Sequence, residues 1–310
     1  MNLIRDVHKH LSQSVIMIGN FDGVHIGHQQ LIHALITASH ELKIPSVLLT
    51  FEPNPSEFFP SKTPLARLMR FCEKWRCVQN YGIDYFYCMR FNALLANLSP
   101  DDFVKKILVD QLGAKKIIIG DDFRFGAKRA GDVETLKTLG KKYGFEVDAI
   151  PQAMHNGERI SSTRIRNAVK QGDFKTAEAL MGRPFTLSGK VSYGSQLGRQ
   201  LGYPTANIHL NRKHVPMMGI FVVRVHGLSE KLLEGVASIG YRPTFNGKQI
   251  LLEVHLFDFD ELIYGRFITV EFLHKIRDEV KFETVSELIA QIADDVVIAK
   301  RFFLRGLSGA

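Results

Sequence analysis

Residues 18–32, "IGNFDGVHIGHQQLI", join an apolar run that is typical of a buried strand to the first turns of a helix. Gly19 ends the predicted strand, and Gly23 and Gly27 allow the backbone to approach a ligand closely. The helix that begins near His28 presents unpaired N–H groups and the positive end of its dipole at the same place. The stretch therefore predicts a phosphate-binding turn between a strand and a helix.

Two histidines, His25 and His28, lie three residues apart in this turn and can share one side of the helix start. As hydrogen-bond donors they would stabilise the negative charge that grows on a pentacoordinate phosphorus. For an arbitrary Gly-x-x-x-Gly stretch, a tight turn with two surface histidines is the better interpretation. A zinc site fits less well, because no third ligand stands at a customary spacing.

Composition describes a chain of 310 residues, 45% hydrophobic, with a formal net charge of +8, which is long enough for two domains. The mild positive excess suits phosphate-bearing small ligands as well as nucleic acid. The three cysteines form no C-x-x-C pair, so neither a disulfide framework nor a zinc site is indicated. The N-terminus has no apolar leader region, and we expect a cytoplasmic protein that neither is secreted nor enters a membrane.

The first half of the chain alternates short apolar runs with helical periods, the rhythm of an α/β doubly wound parallel sheet. The predicted strands are 15–19, 46–51, 85–89, 116–120 and 146–150, and the predicted helices are 28–42, 65–80, 101–113 and 132–143.

The second half of the chain has a different pattern of apolar and polar residues. Two further helical patterns, 163–171 and 173–181, precede a change at "GRPFTLSG" (182–189). Five short segments of alternating apolar and polar residues and one closing helix, 284–304, then predict an antiparallel β-barrel capped by a helix. We therefore expect two domains, 1–183 and 184–310.

Three segments of the first half resemble signatures of a known family. "GNFDGVHIGH" (19–28) resembles the H-x-G-H signature of adenylyl- and cytidylyltransferases, in the G-x-F-D-G-x-H-x-G-H form of prokaryotic FAD synthetases. "ISSTRIR" (160–166) resembles a second signature of that superfamily, and "GDDFRFGAKRAGD" (120–132) resembles its G-x-D/N-F-x-F-G loop. Taken alone, the second would be a capped basic helix and the third an ordinary polar loop.

The second half resembles riboflavin kinases. "GKVSYGSQLGRQLGYPTANI" (189–208) is similar to their glycine-rich motif followed by P-T-A-N, whose Thr hydroxyl and Asn carbonyl can meet a Mg²⁺ ion that bridges ATP phosphates. Residues 250–282 follow the family through its E-x-H-x-x-D, Y-G and I-R-x-E-x-K-F elements. Glu253 falls in an apolar strand, where a structural ion pair is the alternative to a catalytic role.

Nearly the whole chain thus resembles bifunctional riboflavin kinase/FAD synthetases. The resemblance implies a Rossmann-like nucleotidyltransferase domain followed by a riboflavin kinase-like barrel. It also implies two successive reactions: ATP phosphorylates riboflavin to FMN, and a second ATP adenylylates FMN to FAD with release of pyrophosphate. Mg²⁺ is the implied cofactor, and riboflavin, FMN and ATP are the implied small-molecule partners. We expect no nucleic-acid or membrane partner, and a monomer or weak homo-oligomer.

The resemblance assigns a role to each matching position. His28 and Arg166 would be catalytic in the adenylyltransferase, and Glu253 would be the general base of the kinase. The implied nucleotide-binding residues are Gly19, Phe21, Gly23, His25, Gly27, Asp122, Arg159, Ser162 and Thr163 in the first domain, and Gly189, Lys190 and Gly198 in the second. Thr205 and Asn207 would hold the metal, and Arg277 and Phe282 would lie on the flavin side.

One position departs from the family pattern. Where the family usually reads F-D/E-P-H-P, this chain has "FEPNP", with Asn54 in place of histidine. An asparagine donates hydrogen bonds but cannot become cationic, so phosphate handling in the first site is expected to be slower or differently balanced.

Two alternatives remain at this point. A nucleotidyltransferase that acts on another phosphorylated substrate, such as phosphopantetheine or nicotinamide mononucleotide, would share the first signatures but leave P-T-A-N unexplained. A flavin- or RNA-binding regulator on the same fold, without activity, is the other. The intact His28, Thr205, Asn207 and Glu253 argue against it.

Overall fold

The computed structural model of the chain describes residues 1–5, 10–59, 64–194, 197–244 and 247–307, which form two units. The first unit comprises Met1–Leu65 and Met69–Ser162, and the second comprises Ala66–Leu68 and Thr163–Ala310. None of the helices in the described ranges combines the length and apolarity needed to cross a membrane.

The first unit contains, in its described residues, a six-stranded sheet in which every pair of neighbours is parallel. Its strands are β1 (Asn2–Ile4), β2 (Ser14–Ile18), β3 (Ser46–Glu52), β4 (Tyr85–Arg90), β5 (Ala114–Gly120) and β6 (Glu146–Ile150). Its helices are α1 (Ile26–Leu42), α2 (Pro55–Phe58), α3 (Phe71–Gln79), α4 (Ala93–Ala96), α5 (Pro100–Phe103), which continues as a π-helix (Val104–Gln111), and α6 (Val133–Tyr143). A hairpin of β7 (Met154–His155) and β8 (Glu158–Arg159) precedes the second unit.

The strand order of this sheet is β1-β4-β3-β2-β5-β6. The chain runs from β2 through β3 to β4 on one side and then returns to β5 and β6 on the other. The order therefore reverses between β2 and β5, and ligands of open parallel sheets bind at the carboxyl ends of the strands at such a point. The glycine-rich stretch follows β2 and the 120–132 loop follows β5, so both segments lie at this edge. The predicted doubly wound parallel sheet is confirmed.

Both faces of the sheet are covered. Ile16 and Ile18 of β2 pack in one hydrophobic cluster, and Val15 and Met17 pack in another on the opposite face. All five residues of β2 are buried. Parallel strands that are covered on both sides consist of consecutive apolar residues. They can therefore be recognised in the sequence although apolar and polar residues do not alternate in them.

The second unit contains, among its described residues, six antiparallel strands that close into a barrel in the order β10-β13-β12-β11-β14-β9. The strands are β9 (Thr186–Ser192), β10 (Ala206–His209), β11 (Gly219–His226), β12 (Leu233–Thr244), β13 (Gly247–Leu256) and β14 (Phe267–Arg277). Its helices are α7 (Ser162–Gln171), whose first residue belongs to the first unit, α8 (Phe174–Met181), α9 (Leu197–Gln200) and α10 (Val285–Leu307). The predicted barrel with a closing helix is confirmed.

Side chains alternate along the barrel strands. On β13, Leu252 and Val254 are fully buried, whereas Glu253 between them is half-buried on the outer face. Another part of the outer face is covered by α10, where Ala299 and Phe303 pack against barrel residues. Glu253 therefore lies outside the apolar core. The apolar residues around it in the sequence had suggested a position inside the core.

Helix α8 belongs to the core of the second unit. The ring of Phe174 is buried, and its centroid lies 6.3 Å from that of Phe185, 6.0 Å from Phe221 and 5.9 Å from Phe272. The contacts divide the chain at Ser162 and Thr163, and the predicted domain boundary at 181–184 stays a prediction.

Candidate active sites

The glycine-rich turn after β2 has an unusual backbone. Phe21, Gly23 and Val24 have φ angles of 49°, 86° and 39°, in the left-handed region that side chains disfavour. Phe21 and Val24 are nevertheless completely buried, so the surrounding core holds them in this conformation. The turn therefore has one fixed shape before any ligand arrives.

The glycines of the turn make room for its own side chains. A Cβ atom built on Gly19 would stand 2.9 Å from the ring of Phe21, and one on Gly27 would stand 3.3 Å from the ring of His25 and 3.5 Å from the Cβ of Ala153. These contacts explain both glycines by packing within the protein. Their predicted approach to a nucleotide stays a prediction, as does a nucleotide contact for the buried Phe21.

The two histidines lie face to face. Helix α1 begins at Ile26, two residues earlier than predicted, and His25 is its N-cap, with Nδ1 accepting from the backbone N–H of His28 at 3.3 Å. The two rings are stacked with centroids 3.6 Å apart, and Phe21 contacts His28 edge-on at 5.3 Å. Both imidazoles are thus placed at the positive end of α1, where donors for an anion are already concentrated.

The second signature, residues 160–166, contacts the glycine-rich turn directly. Ser162 donates from its hydroxyl to the carbonyl oxygen of Asp22 at 2.7 Å. The carboxylate of Asp22 is 4% exposed, and its Oδ1 accepts from the backbone N–H of Met69 at 2.9 Å. Asp22 thus ties three distant segments together. The sequence analysis did not single it out.

Lys74 is a second residue that the sequence analysis missed. It is only 5% exposed, and its ammonium donates to the carbonyl oxygen of Asn20 in the turn and to Thr50 Oγ1, 3.4 Å away, near the end of β3. Burying an ammonium is costly unless its charge is used. Lys74 stands four residues before the buried Val78, on the apolar side of α3. This position in the sequence was the one sign that Lys74 is buried.

Two predicted residues form an ion pair at the neighbouring strand end. Asp122 follows β5, and its carboxylate accepts from the guanidinium of Arg159, which lies in β8. Both side chains are about half exposed, 48% and 45%, so the pair is accessible to a ligand.

Thr163 and Arg166 lie in the first two turns of α7, in the second unit. Arg166 donates from Nε to the carbonyl oxygen of Ala66 at 2.8 Å, and Arg212 donates to that of Arg67 at 2.6 Å. Arg166 therefore helps to attach the Ala66–Leu68 segment to the second unit. Its catalytic role stays a prediction.

Asn54, the departure from the family pattern, has a structural function. It is the N-cap of α2: its Oδ1 accepts from the backbone N–H of Ser56 at 3.0 Å, and Glu57 Oε2 accepts from the backbone N–H of Asn54 at 3.3 Å. This reciprocal capping box is a stabilising arrangement at a helix start. The buried Asn54 side chain is thus engaged by its own helix.

A row of polar residues crosses the outer face of the barrel. Asn207 on β10 lies opposite Glu253 on β13 and opposite Ser192 on β9, and Glu253 in turn lies opposite Ser238 on β12. Directly opposed side chains on adjacent strands are close enough to interact. The last two residues of the P-T-A-N motif, Ala206 and Asn207, therefore belong to a barrel strand.

Two glycines of the kinase motif lie against the predicted metal ligands. A Cβ atom built on Gly194 would overlap the side-chain amide of Asn207, and one on Gly198 would overlap the carbonyl oxygen of Tyr203 and stand 3.2 Å from Thr205 Oγ1. Gly189 is different, because a Cβ there would overlap Ile208 of the adjacent strand, and the neighbouring Lys190 is exposed. Residues 195–196 of the motif lie outside the described residues.

The cleft beside this row has a volume of about 240 Å³. Thr205, Asn207 and Arg199 supply polar groups to its wall, and Val191, Leu256 and Ile263 supply apolar ones. Tyr264, also in the wall, is stacked on the exposed Tyr193 with ring centroids 4.0 Å apart. Apolar walls with a few convergent polar groups are typical of small-molecule sites.

The two predicted flavin-side residues contact each other. The guanidinium carbon of Arg277 lies 5.9 Å from the ring centroid of Phe282. Arg277 also forms a two-point ion pair with Asp295 of α10. The Nε–Oδ1 distance is 2.9 Å and the Nη2–Oδ2 distance is 2.7 Å. The sequence analysis did not identify Asp295.

Comparisons with known proteins match each half of the chain to a family. The family model of FAD synthetase matches residues 7–164, and that of riboflavin kinase matches residues 181–303. The chain is 44% identical over 308 residues to the bifunctional riboflavin kinase/FMN adenylyltransferase of Escherichia coli (strain K12), with 98% of each chain covered. It is 43% identical over 306 residues to the protein of the same name from Haemophilus influenzae, with 98% of this chain and 99% of that protein covered.

One solved structure is similar over almost the whole chain. It is described as the crystal structure of a macrolide-efflux protein from Streptococcus pneumoniae. The two chains are 32% identical with a TM-score of 0.78, and 95% of this chain and 96% of that chain are covered.

Proposed function

The chain belongs to the family of bifunctional riboflavin kinase/FMN adenylyltransferases, and on this premise we propose which of its residues perform each reaction. It phosphorylates riboflavin to FMN and adenylylates FMN to FAD, with ATP as the co-substrate of both reactions. The observation that best supports our division is that the His25–His28 pair and the row of Asn207 and Glu253 lie in different units.

The first unit performs the adenylyl transfer. A phosphate oxygen of FMN attacks the α-phosphorus of ATP, the bond from that phosphorus to the bridging oxygen breaks, and pyrophosphate leaves. His25, His28 and the N-terminal N–H groups of α1 donate hydrogen bonds to the phosphate oxygens, on which negative charge accumulates. The buried Lys74 holds the carbonyl of Asn20 and so maintains the turn.

The accessible Asp122–Arg159 pair and Ser162 complete the nucleotide side of this site. Ser162 fixes the turn through its hydrogen bond to Asp22. Thr163 and Arg166 follow Ser162 in α7 but belong to the second unit, and their roles in the adenylyl transfer stay predictions.

The second unit performs the kinase reaction. Glu253 accepts the proton of the ribityl hydroxyl as its oxygen attacks the γ-phosphorus of ATP, and ADP leaves. Glu253 suits this task because it is half-buried on the outer face of the barrel, directly opposite Asn207, which borders the cleft.

The residues present also fit a Mg²⁺ ion. Mg²⁺ prefers oxygen ligands, and Thr205 and Asn207 offer a hydroxyl and an amide oxygen on one short segment. The amide nitrogen of Asn207 donates to the carbonyl of Thr205 at 3.5 Å, which leaves the amide oxygen available to a cation. Gly194 and Gly198 leave space around both side chains. When bound there, the ion would neutralise charge on the ATP phosphates.

A cytoplasmic location and a monomeric or weakly associating state complete the proposal. The location is supported by the three cysteines, an odd number without a C-x-x-C pair, which is not the pattern of a disulfide framework.

One assay tests the proposal as a whole. The purified chain is incubated with riboflavin, ATP and Mg²⁺, and the flavins are separated by chromatography over time. We expect FMN to appear first and FAD to follow, with ADP and pyrophosphate as the respective second products. FAD formed from riboflavin without FMN as an intermediate would contradict the proposed sequence of reactions.

Two fragments test the assignment of the kinase to the second unit. We expect residues 163–310 to form FMN but no FAD. Residues 184–310, which follow the predicted boundary, lack α8 and should unfold at lower urea concentration, because losing the buried Phe174 ring typically costs about 3–5 kcal/mol. Urea unfolding and FMN formation are measured for both.

The outcomes distinguish two questions. Equal unfolding free energies for the two fragments would favour the boundary at 181–184. An inactive 163–310 fragment that recovers kinase activity only with residues 1–162 would contradict an independent kinase unit.

A further inference from the structure

We propose that Asp295, on α10, is a positioning residue for riboflavin phosphorylation. It fixes the guanidinium of Arg277 at the end of β14 and, through it, the flavin-side segment, residues 278–282. The inference rests on the proposed function and on the flavin-side position that the resemblance to riboflavin kinases implies for Arg277 and Phe282.

The ion pair between the two residues is rigid and largely buried. Arg277 donates from two nitrogens to the two oxygens of Asp295, at 2.9 and 2.7 Å, in the parallel geometry that fixes the orientation of both groups. Asp295 is 3% exposed, and the Arg277 side chain is 20% exposed. Gln291, one turn earlier on α10, donates to Asp295 Oδ1 at 3.3 Å. The carboxylate of Asp295 is therefore also held by its own helix. Its position does not depend on the flavin-side segment.

The flavin-side segment folds around the guanidinium that Asp295 holds. A third nitrogen of Arg277 donates to the carbonyl oxygen of Asp278 at 3.0 Å, and the face of the group lies 5.9 Å from the ring of Phe282. One guanidinium thus contacts both ends of the segment. Its orientation sets the path of the residues between them.

The same segment reaches the face of the barrel that carries the proposed base. A Cβ atom built on Gly240 of β12 would overlap the carboxylate of Glu279, so the side chain of Glu279 lies directly against β12. Gly240 is two residues from Ser238 and shares its side of the strand, and Ser238 lies opposite Glu253. A change at Asp295 is therefore transmitted along a short path to the region where riboflavin would bind.

The expected effect is on riboflavin binding rather than on the chemical step. A residue that orders a contact remote from the reacting hydroxyl changes KM when it is lost, whereas the loss of a group that acts only in the transition state changes kcat. Hydrogen bonds to charged groups typically contribute the equivalent of about 10- to 100-fold in an equilibrium constant.

The test is Asp295→Asn in the full chain, with Asp294→Asn as the matched control, since Asp294 is the exposed neighbour on the same helix. We expect Asp295→Asn to raise the KM for riboflavin about 10- to 100-fold with a much smaller change in kcat. Adenylylation of supplied FMN by the same preparation should equal that of the parent chain, which shows that the first unit is folded, and a kcat for FMN formation near the parental value shows the same for the second unit. Asp294→Asn should match the parent in both reactions.

Two further variants keep the result interpretable. Asp295→Glu retains the carboxylate and should recover part of the riboflavin affinity. Arg277→Gln tests the proposed function itself: if it leaves the kinase reaction unchanged, the flavin-side role of Arg277 fails. If Arg277→Gln raises KM but Asp295→Asn keeps the parental KM, the positioning role of Asp295 is overturned. A fall in kcat at unchanged KM for Asp295→Asn overturns it as well.

Discussion

Replacing Glu253 with glutamine is expected to lower riboflavin phosphorylation about 10²- to 10⁴-fold, the range that a well-placed general base contributes. Glutamine has nearly the same shape but cannot take the proton of the attacking hydroxyl at neutral pH. Because Glu253 is half-buried on the outer face rather than packed in the core, the substitution should leave the barrel intact. Initial rates of FMN formation from riboflavin, and of FAD formation from supplied FMN, are compared in the same preparation.

Glu234→Gln provides the control for this experiment. Glu234 is also a half-buried glutamate on a barrel strand, but it lies opposite Arg224 on β11 rather than in the row of Asn207 and Glu253. Its kinase rate should equal that of the parent. Unchanged kinase turnover in Glu253→Gln would reduce Glu253 to a structural partner, and an equal loss of both activities would show that the substitution damages the protein instead of the reaction.

The sequence predicted most of the fold because its strands have two different and readable patterns. β2 and residues 117–119 of β5 are covered on both sides and appear as unbroken apolar runs, whereas β13 alternates between the barrel interior and its outer face. β1 has three residues at the edge of the sheet, and β10 has four residues directly after a glycine-rich motif with a proline. Segments this short contain too few residues to establish a period, and tertiary pairing decides their conformation.

The candidate sites were predictable where the signal is local in the chain. His25 and His28 are three residues apart, so a helix start alone brings them together. The capping box at Asn54 was also readable from "NPSE" (54–57), an N-cap residue followed three positions later by glutamate.

What could not be predicted depends on contacts between distant segments. Asp22 meets Ser162 across 140 positions, and Lys74 reaches Asn20 across 54. No spacing rule encodes such pairs, because the sheet and its crossover helices bring them together. The glycines show the same limit: packing against Phe21 and Ile208 requires a glycine at positions 19 and 189, and their predicted ligand contacts stay predictions.

His28→Ala is expected to lower FAD formation from FMN about 10²- to 10³-fold while riboflavin phosphorylation remains near the parental rate. The imidazole of His28 is held in place by the stacked ring of His25 and the edge of Phe21, so it is oriented before ATP binds. Losing one preorganised donor to developing negative charge typically costs about 3–4 kcal/mol in the transition state. The barrier should therefore rise more than ATP binding weakens, and FMN should accumulate from riboflavin. Rates of FMN and FAD formation are followed by chromatography.

His40→Ala is the matched control, because His40 is an exposed histidine in the last turn of the same helix and should have the parental rate in both reactions. Gly27→Val gives an independent test of the stacked arrangement. Its side chain would press on the ring of His25, which a Cβ alone already approaches to 3.3 Å, and should block FAD formation without removing a donor. If His28→Ala formed FAD at the parental rate, the histidines would only close a tight turn. The charge on the departing pyrophosphate would then have to be stabilised by other groups, such as the N–H groups of α1 and the guanidinium of Arg159.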